Sequence, residues 1–365
     1  MKPVKVGIVG CGSISGIYLQ NLTGMFKRVI DLVAVCDIIP ERAYAAKEKY
    51  NIPKAYITDE EIMADTEIEL ILNLTTPDQH MLVNVMALNA GKHAYCEKPL
   101  AVNRKDGETQ VALAQEKGLM LGGAPDTYLG GGIQTCRKLI DDGWIGEPVA
   151  ANATMRCHGH ESWHPDPEFY YKPGAGPMFD MGPYYLTALI NLIGPVASVA
   201  GSTRATFPTR TITSEKKYGT VVDVEVPTHV VGIMNFVNGA IGTITTTFDV
   251  WDNNQVCIEL FGSKGTLRVP DPNTFGGPIY LLRAGEREWE SIPVVYGYRE
   301  NSRGLGVADM CEAIREGRTA RANYQQTFHV LDLMCAFHDA SNARKVVDLP
   351  GGFERKPALE LGRVF

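Results

Sequence analysis

The sequence lacks several features that would define its class at once. It has no run of apolar residues near the roughly 20 that a membrane-spanning helix requires. Lysine and arginine (35) are fewer than aspartate and glutamate (42), so the basic footprint of a nucleic-acid-binding protein is missing. No internal repeat and no low-complexity tract is present. We therefore expect a globular protein with no membrane and no nucleic-acid partner.

Paired cysteines are also missing. Eight cysteines are scattered along the chain with no Cys-x-x-Cys pair, which favours reduced, buried thiols over disulfides or zinc ligands. Met1-Lys2-Pro3 leads directly into an apolar segment and leaves no room for a signal peptide. Both observations predict a cytoplasmic protein.

The length of 365 residues exceeds the usual size of a single core and predicts two domains. Residues 1–124 alternate short apolar segments with helical stretches. The predicted strands are 4–9, 32–36, 55–58, 70–74, 93–96 and 120–124. Apolar runs without alternation are typical of parallel strands covered on both faces. We therefore predict a doubly wound α/β domain of the Rossmann type over residues 1–124.

Residues 125–365 have a different pattern, dominated by hairpins. Two apolar strands, 230–236 and 240–248, flank Asn238-Gly239, the strongest short hairpin signal. A second pair, 256–261 and 266–269, flanks another glycine-containing turn. We expect an α/β domain with a large open, mainly antiparallel sheet. Such a face often pairs with another subunit, so we also expect an oligomer.

A glycine-rich turn follows the first predicted strand. Gly10-x-Gly12-x-x-Ser15 then opens a helix, the context in which this motif binds a dinucleotide. Gly10 permits the tight turn, and Gly12 lets the backbone approach a pyrophosphate at the helix N-terminus. Ser13 and Ile14 complete the predicted phosphate loop. The alternative is a glycine turn in an unrelated α/β protein.

Asp37 strengthens the dinucleotide interpretation. It ends the second strand, 25 residues after Gly12, where an acid binds the adenosine ribose hydroxyls. A carboxylate there repels a 2′-phosphate, so NAD is favoured over NADP, although Arg42 nearby would weaken that preference. The alternative role for Asp37 is to cap the next helix.

The ends of the fourth and fifth strands supply further candidates. Ligands of open α/β sheets bind beyond the carboxyl ends of the strands, which predicts that Thr75-Thr76-Pro77 lines the cofactor. An ordinary strand-to-helix turn is the alternative. His80 is expected to be packed in the helix that follows and is included with the residues at the cofactor end. After the fifth strand, Glu97-Lys98-Pro99 places a lysine where a reaction beside the nicotinamide would occur.

Taken together, these segments resemble the glucose–fructose oxidoreductase/inositol dehydrogenase/rhizopine-catabolism (Gfo/Idh/MocA) family over nearly the whole chain. The matching motifs are Gly10-x-Gly12, Thr76-Pro77-x-x-His80, Glu97-Lys98-Pro99-Leu100-Ala101, Leu139-Ile140-x-x-Gly143-x-Ile145-Gly146, Asp180-x-Gly182 and His329-Val330-Leu331-x-x-Met334. The resemblance implies an NAD(P)-dependent oxidoreductase of sugars, inositols or related polyols. It also implies a homodimer or homotetramer formed through the open sheet.

The resemblance assigns roles at the nicotinamide end. Lys98 would hydrogen-bond the reacting oxygen, and Glu97 would stabilise the cofactor pocket. Asp126 would contact nicotinamide or substrate, and Lys98–Pro99 would be a cis bond.

A second catalytic pair in many members of the family is Asp-x-x-x-His, with histidine as acid/base. This chain has Asp180-Met181-Gly182-Pro183-Tyr184, with tyrosine in the histidine position. Residues four apart share one helix face, so we expect Asp180 and Tyr184 to face one cleft. A phenol, whose ordinary pKa is near 10, acts as an acid as it stands and needs a nearby cation such as Lys98 to act as a base. The alternative is an N-cap for Asp180 and packing for Tyr184.

The loop between residues 158 and 176 mixes aromatic rings with hydrogen-bonding groups, which suits a polyhydroxylated ligand. We expect His160, Trp163 and His164 to bind substrate, together with Lys98 and Asp126. Two alternatives are a metal cluster at His-x-His-x-x-x-His, whose spacing fits no standard site, and simple exposure of loop histidines such as His158.

The sequence therefore predicts an NAD-dependent dehydrogenase of a sugar, sugar derivative or cyclitol that uses no metal. Lys98, Asp180 and Tyr184 are the predicted catalytic residues. Two rival functions stay open: a glycosidase that oxidises its substrate transiently with tightly held NAD, and a non-enzymatic NAD-binding sensor.

Overall fold

Helices and strands alternate in the first third of the chain and strands predominate later. The computed structural model describes residues 2–251, 256–350 and 353–365. In this part of the chain the strands β1 to β17 are Val4–Val9, Ile30–Cys36, Lys54–Tyr56, Leu70–Asn73, His93–Cys96, Leu121–Gly123, Pro148–Arg156, Val196–Arg204, Thr209–Thr211, Val221–Asp223, His229–Phe236, Ile241–Thr247, Ile258–Gly262, Gly265–Val269, Ile279–Arg283, Glu290–Ile292 and Val347–Asp348. The helices α1 to α10 are Ser15–Thr23, Pro40–Tyr50, Asp59–Ala64, His80–Asn89, Arg104–Lys117, Gly131–Asp141, Gly176–Asp180, Gly182–Leu192, Leu305–Glu316 and Tyr324–Ala343.

Two compact units divide the chain. The first unit comprises Met1–Gly130, Glu300–Phe328 and Leu359–Phe365, and the second comprises Gly131–Arg299 and His329–Ala358. The chain thus returns to the first unit after residue 299, whereas the sequence predicted one continuous domain over 125–365. Within the first unit, the Arg315 guanidinium of α9 binds the Glu69 carboxylate at 2.7 Å, beside β4. Contacts between residues this far apart in sequence leave no local signal.

The first unit is built on a six-stranded parallel sheet in the order β3-β2-β1-β4-β5-β6. The apolar strand residues are buried, as expected for strands covered on both faces. The strand order reverses between β1 and β4, which is where ligands of doubly wound sheets bind. Val9 pairs with Cys36 on one side and with Asn73 on the other, so three loops meet at this edge. The predicted Rossmann architecture is confirmed.

The second unit contains a nine-stranded sheet in the order β16-β15-β14-β13-β7-β12-β11-β8-β17. Among the described strands of this sheet only β7 and β12 pair in parallel, so the sheet is mainly antiparallel, as predicted. Asn238-Gly239 forms the predicted turn between β11 and β12, with Gly239 at φ +90°. Phe337 of α10 contacts Gly201 and Gly232 and covers one face of the sheet.

The opposite face of that sheet carries exposed apolar side chains on neighbouring strands. These are Val231 and Ile233 on β11 and Ile241 on β12. The alternation of buried and exposed residues along β11 and β12 places them on one side. Among the described residues, no helix is both long and apolar enough to span a bilayer.

Candidate active site

The glycine loop after β1 contains two glycines with different roles: the fold requires glycine at position 10 but not at position 12. Gly10 has φ +97°, and a Cβ there would lie 2.7 Å from the carbonyl carbon and oxygen of Leu74. A Cβ at Gly12 would meet no atom within 4 Å. Helix α1 begins at Ser15, whose hydroxyl donates to Gly12 O at 2.7 Å. The space above Gly12 at the helix N-terminus therefore fits a phosphate, and a side chain there would fill it.

Asp37 fixes this loop to the end of β2. Its Oδ2 accepts a hydrogen bond from Cys11 N at 2.7 Å, and its Oδ1 accepts one from Ile39 N at 2.8 Å. A carboxylate held beside the glycine loop fits the ribose-binding role predicted from the sequence. Ser13 and Ile14 are exposed at the start of α1, and Arg42 is exposed in the first turn of α2.

The turn after β4 is stabilised from inside. Asn73 Oδ1 accepts from Thr75 N at 3.1 Å and from Thr75 Oγ1 at 2.6 Å. These bonds set the backbone of the predicted cofactor turn, which continues through Thr76 and Pro77. The turn meets the loops after β1 and β2 at the same edge of the sheet.

His80 joins this turn to the segment after β5. Its Nδ1 lies 2.6 Å from Pro99 O, and its Nε2 lies 3.2 Å from Thr75 O. The side chain is 1% exposed, and burial lowers the pKa of the imidazole. His80 is therefore packed between these two backbone segments, as expected. Any effect of its side chain on the predicted cofactor site passes through these segments.

A buried amide chain extends this support. Asn73 Nδ2 donates to Asn84 Oδ1, and Asn84 Nδ2 donates to Gln110 Oε1. Gln110 Nε2 in turn donates to Leu100 O at 3.0 Å. These residues were not predicted from the sequence, although polar side chains on the buried faces of two helices are a usable signal.

Glu97 orients the backbone at Lys98. Its Oε2 accepts from Lys98 N at 2.9 Å, and its Oε1 accepts from the Tyr18 hydroxyl at 2.6 Å. Tyr18 lies in α1, so this bond links the helix of the phosphate loop to the end of β5. The Lys98–Pro99 bond is cis, as expected, and the Lys98 side chain is half-buried.

Asp126 is placed differently from the expectation of a direct ligand contact. Its side chain is 1% exposed, and Oδ2 accepts from Gly304 N at 2.9 Å and Gly306 N at 3.0 Å. It therefore caps the start of α9 within the first unit. Burial raises the pKa of this carboxyl to about 6, against the opposing effect of the hydrogen bond from Gly306.

The expectation that Asp180 and Tyr184 share one face of one helix is wrong, because the two residues lie on separate helices. Asp180 is the last residue of α7, Met181 lies between the helices, and α8 begins at Gly182. Pro183 explains the restart, because it has no N–H for the preceding turn and suits the first turn of a new helix. Asp180 is thus no N-cap either. Tyr184 is largely buried in the first turn of α8.

The loop histidines have distinct environments in the second unit. His160 Nε2 lies 3.3 Å from Asp180 Oδ2, which brings together two of the predicted substrate residues. The His160 ring packs edge-on against Trp163, with ring centroids 5.3 Å apart. Trp163 packs in the same way against His164, whose pKa is lowered by burial. In the described residues no group of His, Cys, Asp and Glu is arranged to hold a metal ion.

Arg210 is a buried residue of this region that the sequence did not reveal. It forms ion pairs with Glu161 and, at 3.2 Å, with Asp249. It also donates to His158 O at 2.8 Å. Burial acts to raise the pKa of Glu161, but the hydrogen bond from Arg210, further hydrogen bonds and the charge of Arg210 together outweigh it, so that pKa is lowered. Arg210 is the central residue of a three-residue strand, and its sequence context does not indicate that it is buried in an ion pair.

Comparisons with known proteins agree with this arrangement. The family description "Oxidoreductase family, NAD-binding Rossmann fold" matches residues 4–123, and "GFO/IDH/MocA C-terminal domain" matches residues 133–268. An inositol 2-dehydrogenase of Salmonella typhimurium is 37% identical over 149 residues, which span 40% of this chain and only 44% of that enzyme. A trans-1,2-dihydrobenzene-1,2-diol dehydrogenase of Bos taurus is 26% identical over 314 residues, covering 86% of this chain and 88% of its own.

A solved structure supports the fold over almost the full length. A levoglucosan dehydrogenase in complex with NADH and L-sorbose superposes with a TM-score of 0.83 at 19% identity, covering 95% of this chain and 99% of that chain. At this identity the likeness concerns the fold. The two family matches, together with the glycine loop after β1 and the Lys98 motif, lead to one conclusion: the chain belongs to the Gfo/Idh/MocA family of oxidoreductases, with an NAD-binding Rossmann domain at its N-terminus.

Proposed function

We propose that this protein is an NAD-dependent dehydrogenase that moves hydride between nicotinamide and a hydroxyl-bearing carbon of a sugar, sugar derivative or inositol-like polyol. The observation that carries the proposal is the support of Lys98. Its backbone is held by Glu97 and Tyr18 on one side and by His80 through Pro99 on the other. Such preorganisation is what a group that stabilises charge in a transition state requires.

The cofactor's part is to accept or supply the hydride. The loop containing Gly10 and Gly12 would hold its pyrophosphate, and Asp37 would bind the adenosine ribose and disfavour a 2′-phosphate. Thr75, Thr76 and Pro77 would line the cofactor at the end of β4. These assignments make NAD the preferred cofactor over NADP.

The chain's own residues then divide the chemistry. The Lys98 ammonium stabilises the oxygen of the reacting hydroxyl as negative charge develops on it. Tyr184, ionised to its phenolate, takes the proton, directly or through water, and Asp180 orients the polyol. The contact between His160 and Asp180 supports the placement of both in the substrate region.

The substrate class rests on the relatives. Inositol 2-dehydrogenase and trans-1,2-dihydrobenzene-1,2-diol dehydrogenase are named for cyclic compounds with adjacent hydroxyl groups. Aromatic rings interleaved with hydrogen-bonding groups around His160 and His164 suit such a ring. We infer that a cyclic polyol is the substrate, in free or derivatised form.

The direct test is NADH formation across a panel of sugars and inositols, with NAD and NADP assayed separately. Turnover of a subset of the panel with NAD supports the proposal. Absence of turnover, in protein that binds NADH, would contradict it, and release of a leaving group from a glycoside would then favour the transient-oxidation glycosidase over a sensor.

We also infer a homodimer or homotetramer formed through the open sheet. Val231, Ile233 and Ile241 make an exposed apolar patch that contact with a second copy would cover. Light scattering on the wild type and on Ile233→Lys tests this. The variant should shift towards monomer, whereas Tyr218→Lys, at another exposed site, should not.

Domain roles and location complete the proposal. Residues 1–124 would bind NAD, and residues 125–365 would bind substrate and form the oligomer, with 300–328 contributing structurally to the first unit. A cytoplasmic location is consistent with eight cysteines that form no disulfide in the described chain. Cell fractionation would contradict it by finding the protein in an oxidising compartment.

A further inference from the structure

A cavity of about 620 Å³ lies within the second unit, beside the residues proposed to bind substrate. Its size falls in the range of about 300–1,000 Å³ that is typical of small-molecule sites. Trp163 lines this cavity and also packs against His160, which contacts Asp180. Two aromatic side chains in contact, Trp163 and His160, therefore connect the cavity wall to Asp180.

Aromatic rings form one wall. The His158 and Trp251 rings are stacked, with centroids 3.5 Å apart and planes inclined by 14°, and Phe207 packs edge-on against His158. Trp251 is 82% exposed and Trp163 is 62% exposed. Exposed indole faces carry negative charge density that attracts the C–H face of a sugar ring, so a flat polyhydroxylated ring suits this wall.

Hydroxyl groups form another part of the lining. Thr209 and Thr211 lie on the same, exposed side of β9, and Thr213 continues that alternation beyond the strand. Threonine hydroxyls both donate and accept hydrogen bonds, which matches the hydroxyl groups of a sugar. Apolar faces combined with such groups distinguish this cavity from a purely hydrophobic groove.

The charges that line the cavity offset each other. Arg210 and Glu161 form a buried ion pair there, and Arg210 also holds His158 and Asp249. The pKa of His158 is lowered by burial, which favours the neutral imidazole. A neutral ligand fits this lining better than a phosphate or a carboxylate.

We propose that this cavity binds a second sugar ring of the substrate, so that the protein acts on a glycoside or disaccharide whose reacting ring lies at Asp180. This inference rests on the proposed dehydrogenase function for the identity of the reacting ring. Binding of the second ring itself needs no turnover, so it can be tested separately.

The test is ligand-observed NMR titration of the full-length protein with glucose and with three glucose disaccharides of different linkage: maltose, cellobiose and gentiobiose. At least one disaccharide should bind about tenfold or more tightly than glucose, which corresponds to about 1.4 kcal/mol. Trp251→Ala should abolish that advantage and leave glucose binding unchanged. Because Trp251 is exposed, the substitution should not impair folding.

Tyr218→Ala is the matched control, since Tyr218 is also a highly exposed aromatic residue of the second unit but does not line the cavity. It should keep the preference for the disaccharide. Equal affinities for glucose and all three disaccharides would overturn the proposal, and so would the absence of binding by all four sugars. So would an advantage that survives in Trp251→Ala. If a disaccharide binds but no NADH forms, the proposed dehydrogenase function is contradicted, whereas the proposed binding of a second sugar ring is not.

Discussion

His80 Nδ1 lies 2.6 Å from Pro99 O, so the helix after β4 holds the backbone beside Lys98. The same ring reaches Thr75 O at 3.2 Å, so one buried side chain supports the segments on both sides of the predicted nicotinamide site. His80 is therefore a positioning residue whose loss should alter cofactor binding as well as stability.

The neutral His80 imidazole has one N–H, so its replacement by alanine leaves one of the two carbonyls, of Pro99 or of Thr75, without its donor, which costs about 1–3 kcal/mol of unfolding free energy. We expect NADH to bind more weakly, because both turns lose a fixed backbone. The measurements are denaturant unfolding and fluorescence titration with NADH. His93→Ala is the control: it removes a hydrogen bond from Met120 N elsewhere in the first unit, and it should lower stability without weakening NADH binding. Equal losses of affinity in both variants would contradict the positioning role.

The two loop glycines should separate folding from cofactor binding. Gly10→Ala puts a Cβ against the Leu74 backbone at a positive φ, so we expect a loss of stability above about 1–2 kcal/mol. Gly12→Ala meets no protein atom within 4 Å and should leave the unfolding free energy unchanged. It should nevertheless weaken NADH binding by about tenfold or more, because its methyl group occupies phosphate space. Undiminished NADH affinity in Gly12→Ala would contradict the placement of the pyrophosphate.

Asp37 should determine the choice of dinucleotide. Asp37→Asn keeps an oxygen that can accept from Cys11 N but removes the charge that repels a 2′-phosphate. We expect the ratio of kcat/KM for NAD to that for NADP to fall by about tenfold, or 1.4 kcal/mol. Asp31→Asn, which changes an exposed carboxylate on the strand that Asp37 follows, is the control and should leave the ratio unchanged. An unchanged ratio in Asp37→Asn would assign the carboxylate to loop structure alone.

Asp126 should make stability depend on pH. Its pKa is about 6 in the folded protein, against about 3.9 in an unfolded chain. Between these values the folded protein binds more protons than the unfolded chain, so the contribution of Asp126 to the unfolding free energy falls as pH rises from about 4 to about 6.

Asp126→Asn removes that titration and keeps an oxygen for the Gly304 and Gly306 amides. Relative to the variant, the wild type should lose on the order of 3 kcal/mol over this range and change little above it. Urea unfolding of both proteins at a series of pH values measures the difference. A constant difference across that range would show that the carboxyl is not perturbed by burial.

The sequence was most informative where chemistry depends on local spacing. Gly10, Gly12 and Asp37 lie at the ends of adjacent strands, so the pattern of strands and helices was enough to predict their meeting. Tyr18 and Glu97 are 79 residues apart, and their hydrogen bond depends on how α1 packs beside β5. Arg210 and Glu161 were hidden for the same reason, since a buried ion pair between distant segments has no local pattern. Gly182-Pro183 indicates a break in the helix between Asp180 and Tyr184, but the four-residue spacing of these two residues led to the prediction of one continuous helix.

The most direct test of the account is Lys98→Ala, with turnover and NADH binding measured in the same preparation. We predict that turnover of the best sugar or inositol falls by about 10²- to 10³-fold, because the developing negative charge loses its stabilising ammonium. NADH should bind within about threefold of wild type, a difference below 1 kcal/mol. Retained turnover, or parallel loss of NADH binding and turnover, would contradict a catalytic role for Lys98.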